Sequence, residues 1–229
     1  MKPFSKISDP VIQNKFDTVY TPSDDTYLLL DYFKKAITLE HFDGLKLSNI
    51  TKILDMGTGT GIIAIFFQKL TDLITNFNPK IYASDILSEA LVCAKNNEKL
   101  NNINNKIYFI QSDLFDSFPD KLQNSFDIII FNPPYLPSIE YHDSSKKSSR
   151  VDISWDGGPK GYELFLRFIK QFQLFIKQDS PSFGYYISSS CTDLDELNIQ
   201  IEKHNLFNEI LLKKHVTFED IILNRISIR

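Results

Sequence analysis

The chain has 229 residues, of which 42% are hydrophobic and 24% charged, and a formal net charge of −4. This is enough apolar material for one sizeable core or two small ones. The acid excess lacks the basic footprint with which duplex-binding proteins grip the phosphate backbone. Two distant cysteines, Cys93 and Cys191, and four scattered histidines form no metal-ligand pattern; they point to a reducing, cytoplasmic setting. No apolar run reaches the roughly 18 residues of a membrane span, and the opening MKPFSKISDP lacks a signal-peptide core.

Residues 1–20 read as an extended tail or cap, and 21–229 as a single domain. SDDTYLLLDYFKKAI (23–37) predicts a helix, with Ser23 at the N-cap, acids in the first turn, and apolar residues at 27, 28, 30, 33 and 37. Elements then alternate. KILDMG (52–57) is a strand and GIIAIFFQKL (61–70) a helix. KIYASD (80–85) is a strand and SEALVCAKNNEKL (88–100) a helix. KIYFIQSD (106–113) and FDIIIFN (126–132) are strands. GYELFLRFIKQFQLFIK (161–177) is an amphipathic helix, FGYYISSS (183–190) a strand and DLDELNIQIEKH (193–204) a helix. NEILLKKHV and DIILNRISIR close the chain as two antiparallel strands. Alternation of this kind predicts an α/β fold, a mostly parallel sheet with helices on both faces. The continuous apolar strands suit a sheet buried on both sides.

The first strand leaves through ILDMGTGTG (53–61), where doubly wound folds bind nucleotides. Gly57, Gly59 and Gly61 are spaced G-x-G-x-G, one residue short of the dinucleotide pattern. Asp55 precedes them; a carboxylate there would repel a pyrophosphate but suits an ammonium or sulfonium. Asp85 ends the second strand, where an acid that binds ribose is expected. Asp113, followed by Leu114, ends the third. Three acids at the carboxyl ends of successive strands surround one glycine turn.

These residues resemble the class-I S-adenosylmethionine (SAM) methyltransferases. The resemblance spans residues 18 to 229 and implies a Rossmann-like seven-stranded sheet in the order 3-2-1-4-5-7-6, the last strand antiparallel. It implies that Asp55 and the Gly57–Gly61 loop hold the methionine end of SAM, that Asp85, with Ile86 beside it, takes the ribose, and that Asp113 and Leu114 meet the adenine. NPPY (132–135) is similar to the catalytic motif of amino-group methyltransferases. VYTPSDDTYLLLDYF (19–33) and SWDGGPKGYELFLRF (154–168) resemble the short archaeal and eukaryotic branch of the HemK-like family, the glutamine methyltransferases of class-1 translation release factors. Bacterial relatives carry an extra N-terminal helical domain, for which this chain starts too near the signature. In the first signature Ser23 and Asp24 read as helix capping, and by resemblance Thr26 lies against the cofactor.

The chemistry explains why a buried strand would stop at Asn132. An amide nitrogen is a poor nucleophile, and methyl transfer is an in-line displacement in which geometry supplies much of the catalysis. The Asn132 side-chain carbonyl and the Pro133 backbone carbonyl can accept both hydrogens of an NH₂ group. Pro133 and Pro134 restrict the backbone that aims them, and the Tyr135 ring can cover a planar amide. Neutral acceptors of this kind stabilise developing positive charge without a strong base, so no catalytic His or Cys is expected.

SIEYHDSSKKSSRVD (138–152), with Lys146, Lys147 and Arg150, is either a solvated loop or a substrate lid beside NPPY; His142 within it is read as a surface residue. If the third strand is an edge, its β-prone Ile107–Ile110 must be covered. Members of this branch work with a small zinc-binding activator protein, which would add there as a strand; shielding by the chain's own loops is the alternative. The expected reaction is methylation of the glutamine amide in the Gly-Gly-Gln loop of a class-1 release factor. The alternatives are a nucleic-acid exocyclic amine of adenine or guanine, a protein lysine, or a non-catalytic scaffold, against which the intact Asn132, Asp55 and Asp85 speak.

Overall fold

The computed structural model describes residues 7–138 and 156–229. Helix α1 (Asp24–Thr38) leads into a short hairpin, β1 (His41–Phe42) and β2 (Leu45–Lys46). Alternation follows: β3 (Lys52–Met56), α2 (Ile62–Leu73), β4 (Lys80–Asp85), α3 (Ser88–Leu100), β5 (Tyr108–Gln111) and β6 (Ile128–Phe131). Then come α4 (Glu163–Phe175), β7 (Phe183–Ser189), α5 (Leu194–Lys203), β8 (Leu206–His215) and β9 (Asp220–Ile228). β3 to β9 form one sheet in the order β5-β4-β3-β6-β7-β9-β8. Only β9 runs against its neighbours β7 and β8; the other pairs are parallel. This is the order expected from the resemblance.

β6 shows why the strands read as unbroken apolar runs. Successive side chains of a strand point to opposite faces. Ile128 and Ile130 join the core shared with α1 and α2, while Ile129 and Phe131 join the core beneath α4 and α5. All four are buried. A strand with helices on both faces has no solvent side, so it shows no polar alternation. Among the described residues no helix is long and apolar enough to cross a membrane.

Three details differ from expectation. The β1–β2 hairpin was not anticipated, although its Asp43-Gly44 turn, with both φ angles positive, is a strong short-range hairpin signal. In α1, Tyr27 is exposed, whereas Leu29 is buried beside Leu28, Leu30, Phe33 and Ile37. The helix is covered by both the hairpin and β9, so its apolar face is broader than a single stripe. Ser23 stands at the N-cap position, yet its side chain makes no cap hydrogen bond.

Residues 7–20 form neither helix nor strand and turn at 17–19. The Val11 N–H and C=O bond the Asn101 side chain, and Gln13 N–H bonds Asn97 Oδ1. This lays the segment along α3 and brings Thr18 to Tyr20 to the carboxyl edge of the sheet.

Candidate active site

A cavity of about 1040 Å³ opens at the carboxyl ends of β3, β4 and β6. The chain runs from β3 outward to β4 and β5, then returns to place β6 on the other side. Such a switch point leaves a crevice in open α/β sheets. Tyr20 to Thr26 border it on one side, and Val216 and Glu219 of the β8–β9 connection on another.

The glycine loop forms its floor. Gly57, Gly59 and Gly61 all adopt left-handed φ angles, of 64°, 53° and 83°. At Gly61 a second constraint applies: a Cβ would stand 2.8 Å from that of Ala94, so only glycine lets α2 start so close to α3. Asp55 is buried, and its Oδ2 accepts from Thr58 Oγ1 at 2.6 Å and Ala64 N–H at 3.1 Å. It thus ties β3 to the loop and to the first turn of α2. Burial raises its carboxyl to about 7, against these two hydrogen bonds. Asp85 Oδ2 accepts from Gly59 N–H and its Oδ1 from Leu87 N–H, both at 2.9 Å. Burial raises this group as well. Each carboxylate oxygen has two lone-pair directions, so Asp85 keeps acceptor capacity toward the cavity that it lines.

Farther along the rim, Ile86 is 54% exposed, an apolar surface at the cavity mouth. Asp113 pairs with Arg167 of α4 at 2.8 Å. Leu114 is buried with a left-handed φ of 47°. That conformation is uncommon for a branched residue and is found where surrounding structure over-determines it. Among the described residues, eight acidic side chains (Asp24, Asp25, Asp55, Asp85, Asp113, Asp156, Glu163 and Glu219) line the cavity against one basic, Arg167.

The NPPY segment faces this floor. Asn132 Nδ2 donates to Asp25 Oδ2 at 3.1 Å. Its Oδ1 is buried with no hydrogen-bond partner, the one such side-chain atom among the described residues. Tyr135 O–H points at the same Asp25 oxygen, at 3.4 Å; burial, then Asp25 and Glu219, push its hydroxyl well above the usual phenol range. Pro133 is buried, and among the described residues no hydrogen bond to its carbonyl is formed. The carbonyls of Tyr135 and Leu136 are taken, by Thr192 Oγ1 and Gly157 N–H. Gly157 approaches so closely that a Cβ would lie 2.8 Å from the Pro134 oxygen, which sets the turn from Asp156 to Gly161 against the motif. Thr26 is buried, with its Oγ1 on Asp25 Oδ1 at 3.1 Å. The expected lid, 138–152 with His142, lies outside the described residues beyond Ser138.

Residues 29–147, just over half the chain, match the methyltransferase small domain family. The "Putative protein N5-glutamine methyltransferase" of Methanocaldococcus jannaschii is 33% identical over 205 residues, 90% of this chain and 89% of that protein. The chain belongs to the HemK-like SAM-dependent methyltransferases. A release factor glutamine methyltransferase of Pasteurella multocida is 34% identical to this HemK-like chain over 215 residues, 88% of it and 66% of that protein. In fold, it aligns with the E. cuniculi Mtq2–Trm112 complex, responsible for methylation of the eRF1 termination factor. The TM-score is 0.61 and the identity 20%, over 93% of this chain and 99% of that one.

The HemK-like chain is therefore an N-methyltransferase that uses SAM, and the site fits that cofactor. A left-handed glycine turn permits close approach, Asp85 keeps acceptor capacity, and the acid excess suits a sulfonium bearing an ammonium. Three lining residues were not found from the sequence as site groups. Asp25 was read as part of a helix start, which it also is. Arg167 sits on the polar side of an amphipathic helix, and Glu219 in a turn between strands. Asp25 and Arg167 lie within the two family signatures, which mark the branch but not the role of either side chain, and Glu219 lies in neither.

Proposed function

We propose that this HemK-like enzyme methylates the side-chain amide of a glutamine, the one in the Gly-Gly-Gln loop of a class-1 release factor. The observation that carries the reading is the buried, unpartnered Asn132 Oδ1. Leaving such an acceptor unmade costs about 1–3 kcal/mol, so its presence calls for a donor that arrives with the substrate. A primary amide brings two N–H groups, one for Asn132 Oδ1 and one for the Pro133 carbonyl. Held by both, the NH₂ plane is fixed and the nitrogen lone pair is directed toward the cofactor. The Tyr135 ring covers the amide face and excludes water. Bound there, SAM would supply an electrophilic methyl group to that nitrogen and depart as the neutral thioether, with one N–H proton released from the methylated amide to solvent. Positive charge developing on nitrogen is met by the two carbonyl oxygens.

In this reading the Gly57–Gly61 loop and Asp55 face the methionine end, Asp85 and Ile86 the ribose, and Asp113 and Leu114 the adenine, with Thr26 closing the site. Asp55 acts largely through the loop that it braces. The names of the M. jannaschii and P. multocida relatives support glutamine as the acceptor. The acid-rich lining, with Arg167 its one basic side chain among the described residues, opposes a phosphodiester chain, which weighs against a nucleic-acid amine.

A small zinc-binding activator protein completes the proposal. Among the described residues β5 pairs only with β4, which leaves its outer edge uncovered by them, and Tyr108 is half exposed there. Ile107 is buried, its N–H bonded to Glu98 Oε1, so the surface offered to a partner strand runs from Tyr108 onward. The solved Mtq2 neighbour is itself a complex with Trm112.

The test is mass spectrometry of a release factor incubated with enzyme and SAM, with and without the co-expressed activator. One methyl on the loop glutamine is the expected result. Modification of lysine or of nucleic acid alone would overturn the choice of acceptor, and full activity of a soluble single chain would count against the activator.

A further inference from the structure

We propose that Asp25 is a positioning residue that determines which end of the Asn132 amide faces the acceptor. The proposal rests on Asn132 being the group that receives the acceptor's N–H. An asparagine amide has a donor end and an acceptor end of nearly equal size, so sterics alone do not choose between its two orientations. Here Nδ2 donates to Asp25 Oδ2 and Oδ1 is left buried and unpaired. In the reversed orientation Oδ1 would stand against a carboxylate oxygen. The Nδ2 hydrogens would then face the hydrogens of the incoming amide, donor against donor. A carboxylate accepts only, so Asp25 admits one orientation and rejects the other.

The carboxylate is itself held from several sides. Tyr20 O–H lies 3.1 Å from both of its oxygens, and Thr26 N–H and Oγ1 bond Oδ1 at 2.5 and 3.1 Å. The side chain also lies in the first turn of α1, where the helix dipole favours negative charge. With Tyr135 O–H on Oδ2, one buried carboxylate aligns both polar groups of the NPPY segment. Asp25 need not touch the substrate to do this; it acts through Asn132.

Two measurements on the full chain, with its activator where solubility requires it, test the idea. The first is independent of turnover. The Asn132 side-chain amide is identified by NMR as the signal lost in Asn132→Ala, and its hydrogen exchange is followed. In the wild type one Nδ2 proton is expected to be protected; in Asp25→Asn, which preserves size, that protection should fall by about tenfold or more, as expected for a lost charge-assisted hydrogen bond. Unchanged exchange would overturn the proposal.

The second measurement is a reciprocal swap. Asn132→Asp alone opposes two carboxylates and should lower methyl transfer strongly. Adding Asp25→Asn restores a donor–acceptor pair, now with a carboxylate facing the acceptor, and should recover transfer at least tenfold over Asn132→Asp. A merely structural Asp25 predicts that the double variant is the worse of the two, and that result would refute positioning. If the wild type transfers no methyl to a Gly-Gly-Gln peptide while the NMR arm behaves as stated, the acceptor assignment fails and Asp25's positioning stands.

Discussion

Asn132→Ala separates catalysis from folding at a single atom. The wild type keeps Oδ1 buried without a partner, a penalty of about 1–3 kcal/mol that the variant removes. The variant also loses the Nδ2 hydrogen bond to Asp25 at 3.1 Å, worth about 1.5–3 kcal/mol when the acceptor is charged. Asp25 is not stranded, because Tyr20, Thr26 and Tyr135 still donate to it. The two terms nearly cancel, leaving stability within about 1 kcal/mol, or roughly 2–4 °C for a chain of this size. Catalysis has no such compensation. Removing one preorganised hydrogen-bonding group at a developing charge lowers kcat about 10²–10³-fold, or about 2.7–4 kcal/mol of barrier. The assay is steady-state methyl transfer to a release-factor peptide, alongside calorimetry with SAM and a thermal melt. Expected are lost turnover, unchanged SAM affinity and a nearly unchanged melting point. Retained turnover would refute the catalytic role, and loss of SAM binding together with stability would show that Asn132 chiefly holds the fold.

Burial raises Asp55 from an ordinary 3.8 to about 7, so between these values the folded state binds a proton that the unfolded state has released. This contribution to stability is therefore fully present below the unfolded value and is lost as pH rises through about 7. In Asp55→Asn, whose amide oxygen can still accept from Thr58, the component should vanish; denaturation midpoints near pH 5 and near pH 8 that differ as in the wild type would contradict this. Gly61→Ala combines a φ of 83° with a Cβ 2.8 Å from that of Ala94 and should cost about 2–5 kcal/mol, read as a lower melting point and weaker SAM binding. Arg167→Met breaks a pair in which both side chains are well exposed, so stability should move by less than about 1 kcal/mol; a larger drop by chemical denaturation would mean that the pair braces α4 against the β5–β6 connection. A Lys at Tyr108 on the open edge of β5 should abolish capture by a strand-adding activator in co-purification while leaving SAM binding intact; undiminished capture would move the partner to another surface.

What was legible in the chain divides by the range of the interaction. Strand β6 and the glycine loop announce themselves locally. Burial on both faces forces an unbroken apolar run, and a left-handed turn between strand and helix calls for glycine. The Asp55 contact to Thr58 is local too, spanning three residues. A carboxylate followed at that spacing by a hydroxyl and a helix start could have indicated a loop brace as readily as a ligand. The Asp25–Asn132 bond spans 107 residues, and Asp113–Arg167 spans 54. Neither partner carries a mark of the other, because the pairing is created by topology. β6 inserts beside β3, its carboxyl end then faces the start of α1, and only there does an acid of the first helical turn meet a strand-ending amide. The same step explains why NPPY read from sequence yields an acceptor without an orientation. The two prolines restrict the backbone on which the Asn132 side chain is mounted. The orientation of the amide is decided from the opposite wall of the cavity, by a residue whose local sequence already had a sufficient explanation.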